Sequence, residues 1–391
     1  MLLFLYFCPL KKKYIMHKRI IILLAAILGF STMHVSAQDP MFSQFYANPL
    51  YLNPAMAGTN VCPRFAFNFR DQWPSMPGTF MTFAASYDEH FDKIYGGIGV
   101  QFWGDRAGEG GIINTYNASL MYSFKIQVSK KFNMRLALQA SYQNKSLNWD
   151  ALTFPDMIDP RYGFVYATNE VRPEFNSINT LDFSAGFLGY TPHVYFGFAA
   201  KHIALLSLSG KYSPYSFLVG NADGKFYDLL KLTAHVGANF DLKRKSKKET
   251  SFGDISISPN FIYEHQLGFN YFNEGFYMKF YPFTVGLWCR HGLTYKYNHN
   301  IPTLDEDGQP VLDDDGNAVV TQQTDKILNS DAIIFMFGIE YDMFRISYSY
   351  DLTISKLASA TTGGSHEVAL QLLLPCPKKR KAIKDLVCPS F

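Results

Sequence analysis

The residue types able to do chemistry are scattered along this chain, and few stand at a spacing that a reaction or an ion needs. Asp305, Asp307 and Gly308, and again Asp313, Asp315 and Gly316, resemble fragments of a calcium loop. Each fragment lacks an acidic first ligand and a glutamate at its twelfth position, so the oxygen set is incomplete. Asp-Gly is also a favoured pair at hairpin turns, and a small surface hairpin is the simpler reading. No Gly-x-Ser-x-Gly, His-Glu-x-x-His, Cys-x-x-Cys, phosphate-loop or dinucleotide pattern occurs. No catalytic residue, metal ligand or cofactor site is therefore assigned, and the expectation is a protein that is not an enzyme. His235 and His366 read as lying on the polar phase of strands, which gives them a hydrogen-bonding role in an interior.

The elements around those residues are strands. From Lys231 to Leu242 every even position is apolar and every odd position is polar or glycine. A strand turns successive side chains to opposite faces, so these residues have one greasy and one wet face over ~40 Å. A span tilted through a bilayer needs ~9–11 residues, whereas strands of soluble domains run to roughly five or six. The pattern recurs. Met134, Leu136, Leu138, Ala140 and Tyr142 alternate with Asn133, Arg135, Gln139 and Gln143, and Phe344 to Ile354 alternates with Arg345, Ser347, Ser349, Asp351 and Thr353. Fourteen strands are predicted, over 64–70, 79–87, 95–103, 112–126, 132–146, 178–190, 193–203, 229–243, 254–266, 274–281, 283–297, 331–341, 344–355 and 365–374. The fold class is all-β, a transmembrane antiparallel barrel with lipid on one face and a polar lumen on the other. The 35 Phe, 25 Tyr and 4 Trp suit the aromatic girdles of such a barrel.

Residues 1–37 read as an address. Met16-His17-Lys18-Arg19 gives a positive start, Ile20 to Phe30 an apolar run, and Val35-Ser36-Ala37 a cleavage site before Gln38. The apolar run is too short for a spanning helix, which needs ~20 residues. Translation is expected to start at Met16. The formal charge of the whole chain is +3, but the leader holds five of the 36 basic residues, so 31 remain against 33 acidic, a net −2. Neither the charge nor its distribution calls for a nucleic-acid partner.

Loop lengths give an independent check. With the N-terminus in the periplasm, connections after odd strands are extracellular, and the long segments 147–177, 204–228 and 298–330 all follow odd strands. The even connections are tight, at Thr191-Pro192, Pro282 and Asp342-Met343. The basic run Lys243 to Lys248 is the exception, read as a solvated turn or as a dock for an acidic periplasmic partner. Fourteen strands enclose more space than the eight whose side chains fill the interior. The irregular segment Gln38 to Asn60 is the expected plug. Four cysteines remain after cleavage, Cys62, Cys289, Cys376 and Cys388. Cys376 and Cys388 flank a basic segment, and an oxidising periplasm permits them to bridge. Cys289 falls on the apolar phase of its strand.

The segment from Gln38-Asp39-Pro40 through Phe42-Ser43-Gln44-Phe45, Asn48-Pro49-Leu50 and Asn53-Pro54-Ala55 to Gly58 resembles the start of the mature PorP/SprF family. Gly364-Ser365-His366-Glu367-Val368 and the Cys-Pro tail ending in Phe391 are similar to that family too. The resemblance implies an outer-membrane barrel of the type IX secretion system of Bacteroidetes, linked with gliding motility. It implies partners in the periplasmic ring, a peptidoglycan-binding lipoprotein, a secreted substrate with a C-terminal sorting domain, and outer-membrane lipid. The acidic stretch 301–329 does not match the family pattern, leaving core component or substrate-specific paralogue open. Phe42, Gln44, Asn48, Pro49, Asn53, Pro54, Ala55 and Gly58 carry the motif, either shaping a plug or touching a partner. Proline after Asn48 and Asn53 biases each asparagine toward extended geometry, and Gly58 permits a turn closed to other residues. The expected organisation is a signal peptide at 1–37, the motif segment at 38–61, the barrel at 62–375 and the tail at 376–391. A channel for small solutes is the alternative reading, and an outer-membrane hydrolase a third for which no constellation exists. Mass analysis of protein purified from outer membranes should find Gln38 as the first residue; a chain still carrying Met16, or fractionating with the inner membrane, would contradict the leader.

Overall fold

The computed structural model describes residues 39–376 except 61, 130, 160, 173–175, 208–229, 244–253, 267–268, 296–298, 303–319, 324–325 and 356–358. The leader, the Asp-Gly pairs of the acidic stretch, most of the basic run after Lys243, and Cys388 lie outside those residues.

One antiparallel sheet closes on itself. Its strands are β1 (Arg64–Gln72), β2 (Phe80–Phe91), β3 (Gly96–Ala107), β4 (Ile113–Gln127), β5 (Asn133–Leu147), β6 (Ser177–Tyr190) and β7 (Val194–Ser207). They continue as β8 (Lys231–Ala238, resuming at Phe240–Lys243), β9 (Ile255–Gln266), β10 (Phe269–Phe280), β11 (Phe283–Tyr295), β12 (Lys326–Tyr341), β13 (Phe344–Thr353) and β14 (Ser365–Leu373). Each pairs with its sequence neighbours, and β14 returns to β1 from Arg64↔Leu373 to Gln72↔Ser365. The ring has fourteen strands once the break at Asn239 is read as one interrupted span. The strands coincide with the fourteen predicted ones to within a few residues at most ends; β10 and β12 each begin five residues earlier. Closure follows from the solvent, because hydrocarbon offers no partner to an unpaired edge amide.

Alternation sorts the side chains. On β1, Arg64, Asn68 and Arg70 point inward and are buried, while Phe67 and Phe69 are outward and exposed. On β5, Arg135 and Gln139 point inward against outward Leu136 and Leu138. Cys289 stands on the outward row of β11, between the inward Trp288 and Arg290. His235 points inward as its phase requires. His366 does not: inward on β14 are Ser365, Glu367, Ala369 and Gln371, so His366 faces outward, where the Tyr348 hydroxyl meets its Nδ1 at 2.7 Å. Its neighbours are polar because it sits at the rim, where outward residues leave the apolar band.

All connections after odd strands lie at one end of the barrel, and the long ones share that end. Among them, His299–Pro302 pairs with Val320–Gln323 as the two arms of a hairpin flanking the Asp-Gly stretch. The opposite end carries short connections such as 281–282 and 342–343. In outer-membrane barrels the short turns are periplasmic and the long loops extracellular.

The disulfide joins Cys62 to Cys376, with Cα atoms 4.7 Å apart, and corrects the expected Cys376–Cys388 pairing. The reason is the seam. Cys62 immediately precedes β1 and Cys376 follows β14, so pairing of these strands brings the two thiols together at the short-turn end, and the Leu374 amide extends the ladder to the Pro63 carbonyl at 2.9 Å. The bond closes a loop spanning 314 positions. In the chain-entropy picture a cross-link over so long a loop stabilises by about 6 kcal/mol.

The strand parity is checked by thiol labelling. In a background carrying Cys289→Ser and Cys388→Ser, Tyr162→Cys at the long-loop end should react with an impermeant maleimide on intact cells. Lys131→Cys, in the β4–β5 turn, should react only after permeabilisation, and equal reaction of both would mean an odd error in the number of spans.

Candidate functional site

The candidate site is the barrel interior, and the motif segment fills it. Residues 42–59 are buried throughout, including all eight motif residues Phe42, Gln44, Asn48, Pro49, Asn53, Pro54, Ala55 and Gly58. The segment adds no strand to the ring. It runs from the long-loop half of the lumen, at Asp39, to the short-turn end, at Gly58, and then feeds β1.

Its upper part docks on charges. The Ser43 and Gln44 backbone amides donate to the Glu367 carboxylate at 2.7 and 3.3 Å. The Ser43 hydroxyl donates to Asp351 and accepts from Arg70 at 2.6 Å and Arg290 at 2.9 Å. Arg70 pairs with Asp351 at 2.8 Å and with Glu367 at 3.5 Å, and Arg290 meets Asp351 at 3.4 Å. Two guanidiniums balance two carboxylates, so the cluster is close to neutral, as a buried charge group must be. Gln44 spans the same site, donating to the Glu367 carbonyl at 2.9 Å and accepting from Ser347. At the start of the segment Asp39 meets His202 at 2.9 Å, and His202 reaches Asp182 at 3.0 Å on its other nitrogen. Burial pushes the Asp39 carboxyl up, but His202 and the nearby Lys231 and Lys201 outweigh it and hold the group below the ordinary carboxylate range.

The middle part packs on rings. Tyr46 stands edge-on to Tyr195 and Tyr277, with ring centres 5.9 and 6.2 Å away, and Phe45 meets Trp288 at 5.0 Å. Phe42 and Trp103 both stand edge-on to Tyr51, and the Lys201 ammonium lies 4.0 Å over the Tyr51 ring. The lumen is thus charged in its upper part and aromatic lower down, with Leu188, Ile262, Ile334 and Met336 also pointing in. The inward rows are mostly polar, as the strand phases predict, and these apolar exceptions face the plug.

The lower part turns on the asparagine–proline pairs. Asn53 is extended, at φ −153° and ψ 123°, as a residue before proline prefers. Its side-chain oxygen accepts from the Ala55 amide at 2.9 Å, capping the turn Pro54–Met56. Its side-chain nitrogen donates to the Phe187 carbonyl at 2.9 Å and lies 3.1 Å from His235 Nε2. Because that nitrogen only donates, His235 Nε2 accepts. Asn48 does not cap its own turn; its side-chain oxygen takes the Gln101 amide at 2.9 Å. Gly58 has φ +64°, and a Cβ there would stand 2.6 Å from the Gly97 Cα. The Gly58 amide donates to Asp88 at 2.8 Å, its carbonyl accepts from Arg135 at 2.5 Å, and Arg64 holds Asp88 at 2.9 Å. The wall is cut to match: Gly97, Gly99, Gly186 and Gly197 face the segment where a Cβ would overlap Ala57, Leu50, Asn53 and His235 in turn.

The sequence flagged the motif residues, and Glu367 within the family-like opening of the last strand, but not Arg70, Asp88, Arg135, Arg290 and Asp351, which hold the motif with it. An inward arginine or carboxylate on a strand otherwise lined by small polar residues was the available signal. No group of side chains suited to hold a metal ion occurs among the described residues.

The family described as type IX secretion system membrane protein PorP/SprF matches residues 34–372. Among solved structures, the chain is similar to CdiB from Acinetobacter baumannii, at 9% identity over 79% of this chain and 60% of CdiB, with a TM-score of 0.40. It is similar to the TodX deltaS2S3 mutant monoaromatic hydrocarbon channel at 12% identity, over 87% of this chain and 94% of that one, with a TM-score of 0.34. It is also similar to BamA from Haemophilus ducreyi lacking POTRA domains 1-3, at 11% identity over 80% and 71%, with a TM-score of 0.34. Comparison with curated proteins finds no match.

Gly58→Ala tests the fit of the plug. The overlap with Gly97 costs roughly 1–3 kcal/mol and the left-handed backbone about 1 more. The expected result is a folded barrel whose N-terminal segment is released, seen as new protease cleavage before Arg64; unchanged protection would mean that the two glycines are not in contact.

Proposed function

The chain belongs to the PorP/SprF family of type IX secretion system membrane proteins, and from that premise we propose that it is a non-enzymatic barrel aiding secretion or surface attachment of substrates with a C-terminal sorting domain. It lies in the outer membrane. In this reading it also docks to the periplasmic ring of the machine and to a peptidoglycan-binding lipoprotein. The observation that carries the reading is that the family motif is spent on filling the lumen. An open diffusion pore keeps its bore clear for solutes, whereas here eighteen successive residues, 42–59, are buried across it. A closed barrel offers its two rims and its outer wall to other proteins. The connection between β8 and β9 carries the basic run Lys243 to Lys248, which favours an acidic partner on the periplasmic side.

Deleting Gln44 to Gly58 takes away no ladder hydrogen bond, so the ring should still close and remain heat-modifiable on gels. In planar bilayers the intact protein should be silent and the deleted one conducting, because the emptied lumen fills with water. Affinity capture from native membranes, read by mass spectrometry, should find periplasmic machine components with the intact protein and lose them with the deleted one. Stable conductance by the intact protein would favour the channel reading, and full retention of partners by the deleted protein would leave the segment without the role given to it.

A further inference from the structure

The outward row of β10, read upward from the short-turn end, is Phe280, Met278, Phe276, Glu274 and Phe272. At ~3.3 Å per residue and a tilt of about 40°, Glu274 stands ~15 Å above Phe280, inside an apolar band of about 25 Å. Its carboxylate is 59% exposed, on the face that meets lipid, with aromatic rings above and below it. Asp71 and Glu89, also outward, stand within two residues of a strand end, where headgroups and water are in reach. Glu274 is mid-strand. On β11, His291 projects from the same face with its Nε2 3.4 Å from a Glu274 oxygen, and its Nδ1 is 3.1 Å from the Ser330 hydroxyl. Directly opposite Glu274 in the ladder is Cys289, a free thiol and the smallest outward side chain of β11.

Ionisable side chains within a bilayer are costly and are found paired or against protein. One long contact to His291 leaves most of the Glu274 carboxylate among acyl chains. We propose that the β10–β11 face is the contact between two copies of this chain, related by a two-fold axis along the membrane normal, with Glu274 of each copy set against His291 of the other. The patch is self-complementary. The acid and the base are diagonal neighbours on adjoining strands, Glu274 opposite Cys289 and His291 opposite Phe272, and their polar atoms stand 3.4 Å apart, so a half-turn about the normal exchanges them and forms two pairs at once, as an isologous interface requires. The phenyl rings of Phe261, Phe272 and Phe276 and the Leu287 side chain surround the pairs and exclude lipid headgroups and water. Cys289 sits between acid and base, which places the thiols of the two copies on either side of the axis.

The test uses the full mature protein in native outer membranes with Cys388→Ser, so that Cys289 is the remaining free thiol beside the Cys62–Cys376 bond. Copper phenanthroline or a short bismaleimide should give a cross-linked dimer on non-reducing gels, abolished by Cys289→Ser. Glu274→Gln should lower the yield about tenfold, since both charge pairs are lost together, while leaving heat-modifiability intact. Glu274→Leu, whose apolar side chain suits lipid, should do the same. A monomer in which Cys289 is fully modified by a permeant maleimide would overturn the proposal. So would a cross-link solely to a different polypeptide, or an undiminished dimer in both Glu274 variants.

Discussion

The Glu367 carboxylate accepts the amides of Ser43 and Gln44, and the interior of the barrel is arranged around that contact. A carboxylate with no exposed surface has to be neutralised and hydrogen-bonded, and here the partners come from widely separated parts of the chain. Arg70 lies on β1, Arg290 on β11, Asp351 on β13, and the amides belong to the motif segment. Removing one member of such a buried group typically costs about 3–5 kcal/mol, because the remaining charges lose their partner without gaining water. The plug and both strands of the seam are therefore one electrostatic unit.

Below that cluster the fit is steric. Gly97 and Gly58 touch backbone to backbone, Gly186 and Gly197 make room for Asn53, and the arginine and aspartate around Gly58 hold its amide and carbonyl from opposite sides. A segment held by charge at one end and by close backbone approach at the other, with rings between, is a structural core and not a loose lid.

The ring was legible in the sequence because lipid enforces apolar side chains on every second position, and the bilayer enforces strands long enough for the period to show. Phe344 to Ile354 could be assigned to faces residue by residue. Loop parity was legible for the same reason, since one miscounted strand would have scattered the long loops. The period fails where its cause fails. His366 lies above the apolar band, so its phase carried no information about inside and outside. Trp288 and Ile262 are inward yet apolar because they meet the plug. The Cys62–Cys376 bond was hidden because proximity along the chain favours Cys388, whereas closure of the sheet favours the residue 314 positions away. The motif was visible as a pattern, but its partner Arg135 was not, since nothing local distinguishes an arginine that grips a carbonyl from one that lines a pore.

The staple between Cys62 and Cys376 also orders events in biogenesis. One thiol precedes the first strand and the other follows the last, so oxidation has to wait until β14 has been delivered and has met β1. The charged seat of Ser43 includes residues from β1 and β14, and it too is incomplete until that moment. The motif segment, which precedes every strand in the chain, thus finds its final place only when the last strand arrives, and the covalent bond then seals it inside a hoop that can no longer part at the seam. From that point the segment can leave only along the barrel axis, and a periplasm poor in oxidant would be expected to accumulate barrels that are inserted but not yet locked.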